Sequence, residues 1–143
     1  MSPISRRWIA IGALLAAIGV GFGAFGAHVL KDVLTRTGFA GDDLARRTAI
    51  FETAVRYQLF HSIALVLTGL ALDRRESNWW RFAAWAFLAG IVLFCGLLKV
   101  MTFADAKWNW LGAIVPFGGV SMILGWVALG IGAITMPRSK QAN

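Results

Sequence analysis

Polar and apolar positions fall in long blocks along this chain. Four stretches are almost purely apolar, at about residues 8–30, 55–72, 82–101 and 111–136. Each has room for the roughly 20 residues that cross the hydrocarbon of a bilayer as a helix. The pattern predicts an all-α polytopic membrane protein, with four transmembrane helices in a compact bundle. The links between stretches are short apart from residues 31–54, so residues 1–143 are read as a single integral membrane domain.

The first stretch follows Arg6 and Arg7 and meets no formal charge until Lys31. Ala24-Phe25-Gly26 has the small-x-small form of a leader cleavage site. The apolar run before it is longer than the usual h-region of about 7–15 residues, so a retained helix is expected. The approach to the second stretch is amphipathic. Gly38 and Gly41 mark a loop, and Asp42 or Asp43 suits a helix N-cap. Leu44, Thr48, Phe51 and Val55 then share one helical face, with Arg46 and Arg47 turned elsewhere. A short amphipathic helical segment lying at the membrane surface is expected there. Trp79, Trp80 and Trp85 open the third stretch, and Trp108 and Trp110 precede the fourth, as an aromatic belt does. Pro116 reads as a feature of the first turns of the fourth helix, and Pro137 with Arg138 closes it.

Composition narrows the class. Hydrophobic residues make up 58% of the chain and charged residues 15%, with a mean hydropathy of +0.67. Soluble domains hold about 45–50% and about 25% respectively. A soluble globule and a disordered chain are both excluded on these grounds. The formal charge of +7 would raise nucleic acid as a partner in a soluble protein. Here the basic residues flank apolar stretches, so the expected partner is the lipid bilayer and not nucleic acid. Cys95 is the single cysteine, which excludes an intrachain disulfide.

Arg6, Arg7, Arg74, Arg75, Arg81, Arg138 and Lys140 share the side of both termini. Lys31, Arg36, Arg46, Arg47 and Lys107 lie opposite, with Arg56 and Lys99 set aside as lying at membrane depth. This balance favours both termini in the cytoplasm. The expected location is a bacterial inner (plasma) membrane.

Small residues form two stripes. Gly12, Gly19 and Gly26 recur every seven residues on the first helix, and Gly23 adds a G-x-x-x-G with Gly19. Gly118, Gly125 and Gly132 repeat the spacing on the fourth. Lipid provides no hydrophobic drive for helix association, so close backbone approach must supply the contact. The stripes are read as packing seams, joining the first helix to the fourth or one chain to another.

Polar groups at membrane depth are costly and mark candidate functional positions. They concentrate between Phe51 and His61. Glu52 and Arg56 are four apart and placed to pair. Thr53, Tyr57 and His61 follow the same spacing on a face about 130° away. His61 is read as a buried imidazole bonded to another helix, or as a proton-relay residue. His28 ends the first helix, at a membrane face where the two histidines are placed to meet. Together they make a poor metal site, so neither metal nor cofactor is expected. Lys99 is read as a side chain snorkelling towards the interface. No hydrolase, metalloprotease, P-loop or C-x-x-C motif is present, so no enzyme is expected. Gly21-Phe22-Gly23-Ala24-Phe25-Gly26 spells G-x-G-x-x-G, but inside a span and with no strand before it.

Three stretches carry a family resemblance. They are Gly23-Ala24-Phe25-Gly26-Ala27-His28, Phe51-Glu52-Thr53-Ala54-Val55-Arg56-Tyr57-Gln58 leading to His61, and Leu111-Gly112-Ala113-Ile114-Val115-Pro116-Phe117-Gly118-Gly119 continuing to Leu124-Gly125-Trp126. In order and spacing the chain resembles domain-of-unknown-function family 423, small membrane proteins of bacteria with relatives in eukaryotes. The resemblance implies a four-helix integral membrane protein and no established activity. Its motif positions fall on Gly23, Gly26, His28, Glu52, Thr53, Arg56, Tyr57, His61, Pro116, Gly118 and Gly119. Lys99 departs from the pattern, which is apolar or aromatic there. Two functional expectations follow. One is a structural or accessory component packing through its glycine seams, as a homo-oligomer or a subunit of a larger membrane complex. The other is a small oligomeric channel or carrier, moving protons or a small solute past Glu52, Arg56, Tyr57 and His61.

Overall fold

A computed structural model describes residues 1–135. Among them the chain is all-helical, with four helices long and apolar enough to cross a membrane. The end of the fourth expected span at Met136, with Pro137 and Arg138, lies outside the described residues.

Helix α1 (Pro3–His28) starts where the Ser2 hydroxyl accepts from the Ser5 amide at 3.1 Å, with Pro3 in the first turn. It stops at Val29, whose φ of −122° leaves the helical region. A short helix α2 (Leu30–Arg36) follows within what the sequence suggested was loop. The turn out of it needs positive φ at Gly38 (97°) and Gly41 (55°), which glycine adopts without strain.

Helix α3 (Gly41–Arg74) has 34 residues. At 1.5 Å per residue it is about 51 Å long, against a hydrocarbon thickness of about 30 Å. Its first turns therefore rise out of the hydrocarbon. The expected amphipathic segment is these turns, continuous with the span. Phe51 and Val55 do face inwards, but they pack on Leu30 and Leu34 of α2. The apolar face is covered by protein, so the segment does not lie flat on lipid.

The third span runs from Asn78 to Phe103. It comprises α4 (Asn78–Gly90), a wider π-helical turn over Ile91–Gly96 and α5 (Leu97–Phe103). A 3-10 stretch (Ala106–Ala113) leads to α6 (Val115–Ile134), where Pro116 sits in the first turn. There its missing N–H breaks no helical hydrogen bond.

The pairing of helices differs from one sequence option. The two glycine stripes do not meet each other. The α1 stripe closes on α3: a Cβ built on Gly12 lies 2.8 Å from Ser62 O, and one on Gly19 lies 2.8 Å from Leu59 Cδ2. Gly26 faces the Phe51 ring, and Gly23 approaches Val55. The α6 stripe closes on the third span, with Gly118 on Phe94, Gly125 on Phe87 and Gly132 on Trp80. Gly69 and Gly90 answer from the facing helices, against Ile9 and Met122. Helix α3 is the centre of the fold, touching α1 on one flank and α4, the π turn and α5 on the other.

Polar side chains stitch these contacts at helix carbonyls. Ser5 Oγ donates to Gly69 O at 2.8 Å, and Ser121 Oγ donates to Ala86 O at 2.8 Å. Trp80 Nε1 donates to Leu129 O at 3.1 Å. Trp80 is thus buried against α6 and is not part of an outward belt, whereas Trp79 and Trp85 are exposed.

Candidate functional site

The polar residues singled out on α3 separate into different settings. His61 is 6% exposed. Its Nδ1 lies 2.7 Å from Tyr57 O, one turn back, and Trp126 Nε1 donates to its Nε2 at 3.2 Å. An indole N–H only donates, so Nε2 accepts and Nδ1 carries the hydrogen. Both ring nitrogens are engaged in this neutral tautomer. The ring also sits among aromatics, 5.8 Å from Tyr57 and from Phe87 and 6.1 Å from Trp126 between centroids.

This cluster floors a groove of about 840 Å³ between α3, the π turn and α6. From Arg56 to Leu67 the α3 wall runs for about 16 Å at helical rise. Phe60, Ile63, Leu67 and Ile123 supply apolar walls, and Arg56 and Tyr57 stand at one end. Phe94, carried by the π turn, packs on Tyr57 at 5.0 Å and lines the same groove. π turns are rare and recur at functional positions.

Glu52 and Arg56 do not pair. Among the described residues neither makes an ion pair or a side-chain hydrogen bond, and both are exposed. They line a second, smaller groove between α1 and α3. An exposed pair is worth only about 0–1 kcal/mol, too little to hold two long side chains together. Nor do the histidines meet. His28 ends α1 exposed, at the level where Gly26 faces Phe51, while His61 lies deeper, against α6. Thr53 donates to Ala49 O on its own helix.

Two residues carry more than sequence reasoning assigned them. Lys99 does not snorkel. Its ammonium donates to Gln58 Oε1 inside the bundle and sits 4.2 Å from the centroid of the Phe22 ring. Gln58 Nε2 in turn donates to Leu15 O at 2.8 Å. One amide thus links α1, α3 and α5. Arg47 is 7% exposed and does not face away from the protein. Its Nη1 donates to Thr102 O at 2.8 Å, Ala104 O at 3.0 Å and Met101 O at 3.2 Å. These are carbonyls at the end of α5, where a cation also meets the negative end of the helix dipole. Asp43 holds Arg47 Nε at 2.9 Å, and Phe39 lies under the guanidinium at 3.6 Å. Apolar surroundings hid both roles, because hydropathy does not register free carbonyls or a facing amide.

Four apolar helices, tied by small-residue seams and carbonyl-seeking side chains, define a small polytopic membrane protein. The family described as "Protein of unknown function (DUF423)" matches residues 22–119, and the chain belongs to that family. It is 36% identical over 124 residues to a UPF0382 membrane protein of Staphylococcus aureus, covering 87% of this chain and 92% of the relative. The UPF0382 membrane protein YwdK of Bacillus subtilis is 32% identical over 130 residues, covering 90% and 97%. The UPF0382 inner membrane protein YgdD of Escherichia coli is 32% identical over 135 residues, covering 94% of each. No solved structure matches.

Proposed function

We propose that this integral membrane protein is a non-catalytic structural or accessory component of a bacterial inner-membrane assembly, with both termini in the cytoplasm. One observation carries the reading. The buried polar side chains at membrane depth tie helices of the same chain together. His61 is held by Trp126 of α6, and Gln58 by Leu15 of α1 and Lys99 of α5. A scaffold needs such fixed bonds, whereas a carrier needs polar groups free to exchange partners. Because the glycine seams close within the chain, assembly uses another surface, the groove between α3 and α6. A helix of a second copy or of a larger complex packs there, against Phe60, Ile123 and Trp126.

A photo-crosslinking residue placed at Ile123 in native membranes tests this. The expected product is one discrete adduct, which mass spectrometry identifies as a second copy or a different subunit. Crosslinks to lipid alone would refute it. The proton-conducting alternative requires flux past His61. Liposomes holding the purified chain and a pH dye are expected to leak no faster than empty ones.

A further inference from the structure

At the end of the bundle that carries the N-terminus, a cavity of about 320 Å³ opens between α1 and the start of α4. Ile4, Arg7, Trp8, Ile11, Arg81 and Trp85 line it. Arg7 is the fifth residue of α1 and Arg81 the fourth of α4, so both stand within the first two turns of their helices, at headgroup depth. Arg7 is exposed and has no ion pair or hydrogen bond from its side chain among the described residues. Arg81 Nη2 reaches the exposed Glu76 at 3.0 Å, but its buried Nε has no hydrogen-bond partner among the described residues. A buried donor without an acceptor is a costly arrangement, which a small swing of this half-exposed side chain towards a ligand oxygen would relieve.

The surroundings fit an anion with an apolar tail. Trp8 and Trp85 meet edge to face at 5.0 Å, with Trp8 buried and Trp85 63% exposed towards lipid. Arg6, Arg74 and Arg75 occupy the same end, where the acids are Asp73 and Glu76. Asp73 is already engaged by the Ser2 amide at 2.7 Å and the N-terminal ammonium at 3.8 Å.

We propose that this cavity is a binding site for an anionic glycerophospholipid. Its phosphate lies between Arg7 and Arg81, and one acyl chain runs down over Trp85 and Ile11. Guanidinium groups bind phosphate oxygens through charge-assisted, often bidentate, hydrogen bonds. Anionic lipid is concentrated in the cytoplasmic leaflet, the side on which the arginine distribution places this end.

Native mass spectrometry of the detergent-solubilised chain, titrated with phosphatidylglycerol or phosphatidylcholine, tests the site. One phosphatidylglycerol adduct is expected in clear preference to phosphatidylcholine. Arg7→Gln is expected to weaken that adduct about fivefold, as loss of one basic residue near an anionic surface does. Arg7 has no partner to lose, so the fold is expected to survive, with an unchanged thermal melt. Arg56→Gln, at the opposite membrane face, is expected to leave the adduct intact. Equal binding of the two lipids, or an Arg7→Gln variant that keeps the full preference, would overturn the proposal. So would displacement of the lipid by excess inorganic phosphate, which would make this a site for a free anion.

Discussion

Adding one methyl group at Gly118 tests how closely the fourth span approaches the third. A Cβ there lies 2.5 Å from the Phe94 amide nitrogen, 2.9 Å from Phe94 Cβ and 3.0 Å from the Leu93 carbonyl carbon. Ordinary contact for a Cβ begins at 3.4 Å, so the shortfall reaches several tenths of an ångström or more. None of these atoms belongs to the far end of a flexible side chain, so relief requires the two helices to part. Overpacking of this kind costs about 1–3 kcal/mol. The better helix propensity of alanine returns about 0.5–1 kcal/mol. The net expectation for Gly118→Ala is a loss of up to about 2.5 kcal/mol. Gly130, on the same helix, is the matched control, because its Cβ would meet nothing within 4 Å among the described residues. Gly130→Ala is expected to be neutral or to stabilise by up to about 1 kcal/mol. Gly119→Ala, whose nearest contact is 3.7 Å, is expected to be near neutral. Helix content followed by circular dichroism during SDS unfolding from mixed micelles gives the ranking. Equal midpoints for Gly118→Ala and Gly130→Ala would refute the close crossing at the π turn.

Other interactions carry their own expectations. Arg47→Ala strips three carbonyls at the end of α5 of their shared donor and is expected to cost about 2–3 kcal/mol in the same assay. Arg47→Lys, lacking the planar fork, is expected to recover less than half of that. Gln58→Leu leaves the Lys99 ammonium without its acceptor and is expected to destabilise by about 1–3 kcal/mol. The double variant Gln58→Leu with Lys99→Met removes both partners and is expected to regain at least half, so a purely additive cycle would contradict the pairing. A C-terminal fusion to green fluorescent protein is expected to fluoresce and one to alkaline phosphatase to stay inactive, and the reverse would place the termini outside.

The four spans are legible from hydropathy because bilayer thickness sets their length directly. The two seven-residue glycine stripes are legible for the same kind of reason, since helical periodicity shows which face is small. Periodicity does not say which neighbour that face meets. Gly12 finds Ser62 and Val66 on α3, and Gly118 finds Phe94 on the third span, so the two stripes face different partners. Helix α2 is not legible in the sequence, because seven residues with three charges carry little apolar signal, although Leu30 and Leu34 are fully buried. The π turn at Ile91–Gly96 has no sequence signature beyond its glycines. Charge misled most. Helical spacing turns Arg47 away from the apolar face, and its place near a span end suits Lys99 to snorkelling, yet each finds oxygen acceptors inside the protein. Glu52 and Arg56 have the spacing of a pair, but both are exposed, where pairing gains little.

The central claim is that both glycine seams close inside one chain. Disulfide crosslinking in a Cys95→Ala background tests it most directly. A cysteine pair at Gly23 and Val55, where a Cβ on Gly23 falls 3.6 Å from Val55 Cγ1 without a clash, is expected to oxidise readily within a monomer. A pair at Gly12 and Gly125, one from each stripe, is expected to stay reduced. A covalent dimer from the first pair, or an intrachain bond in the second, would contradict the account.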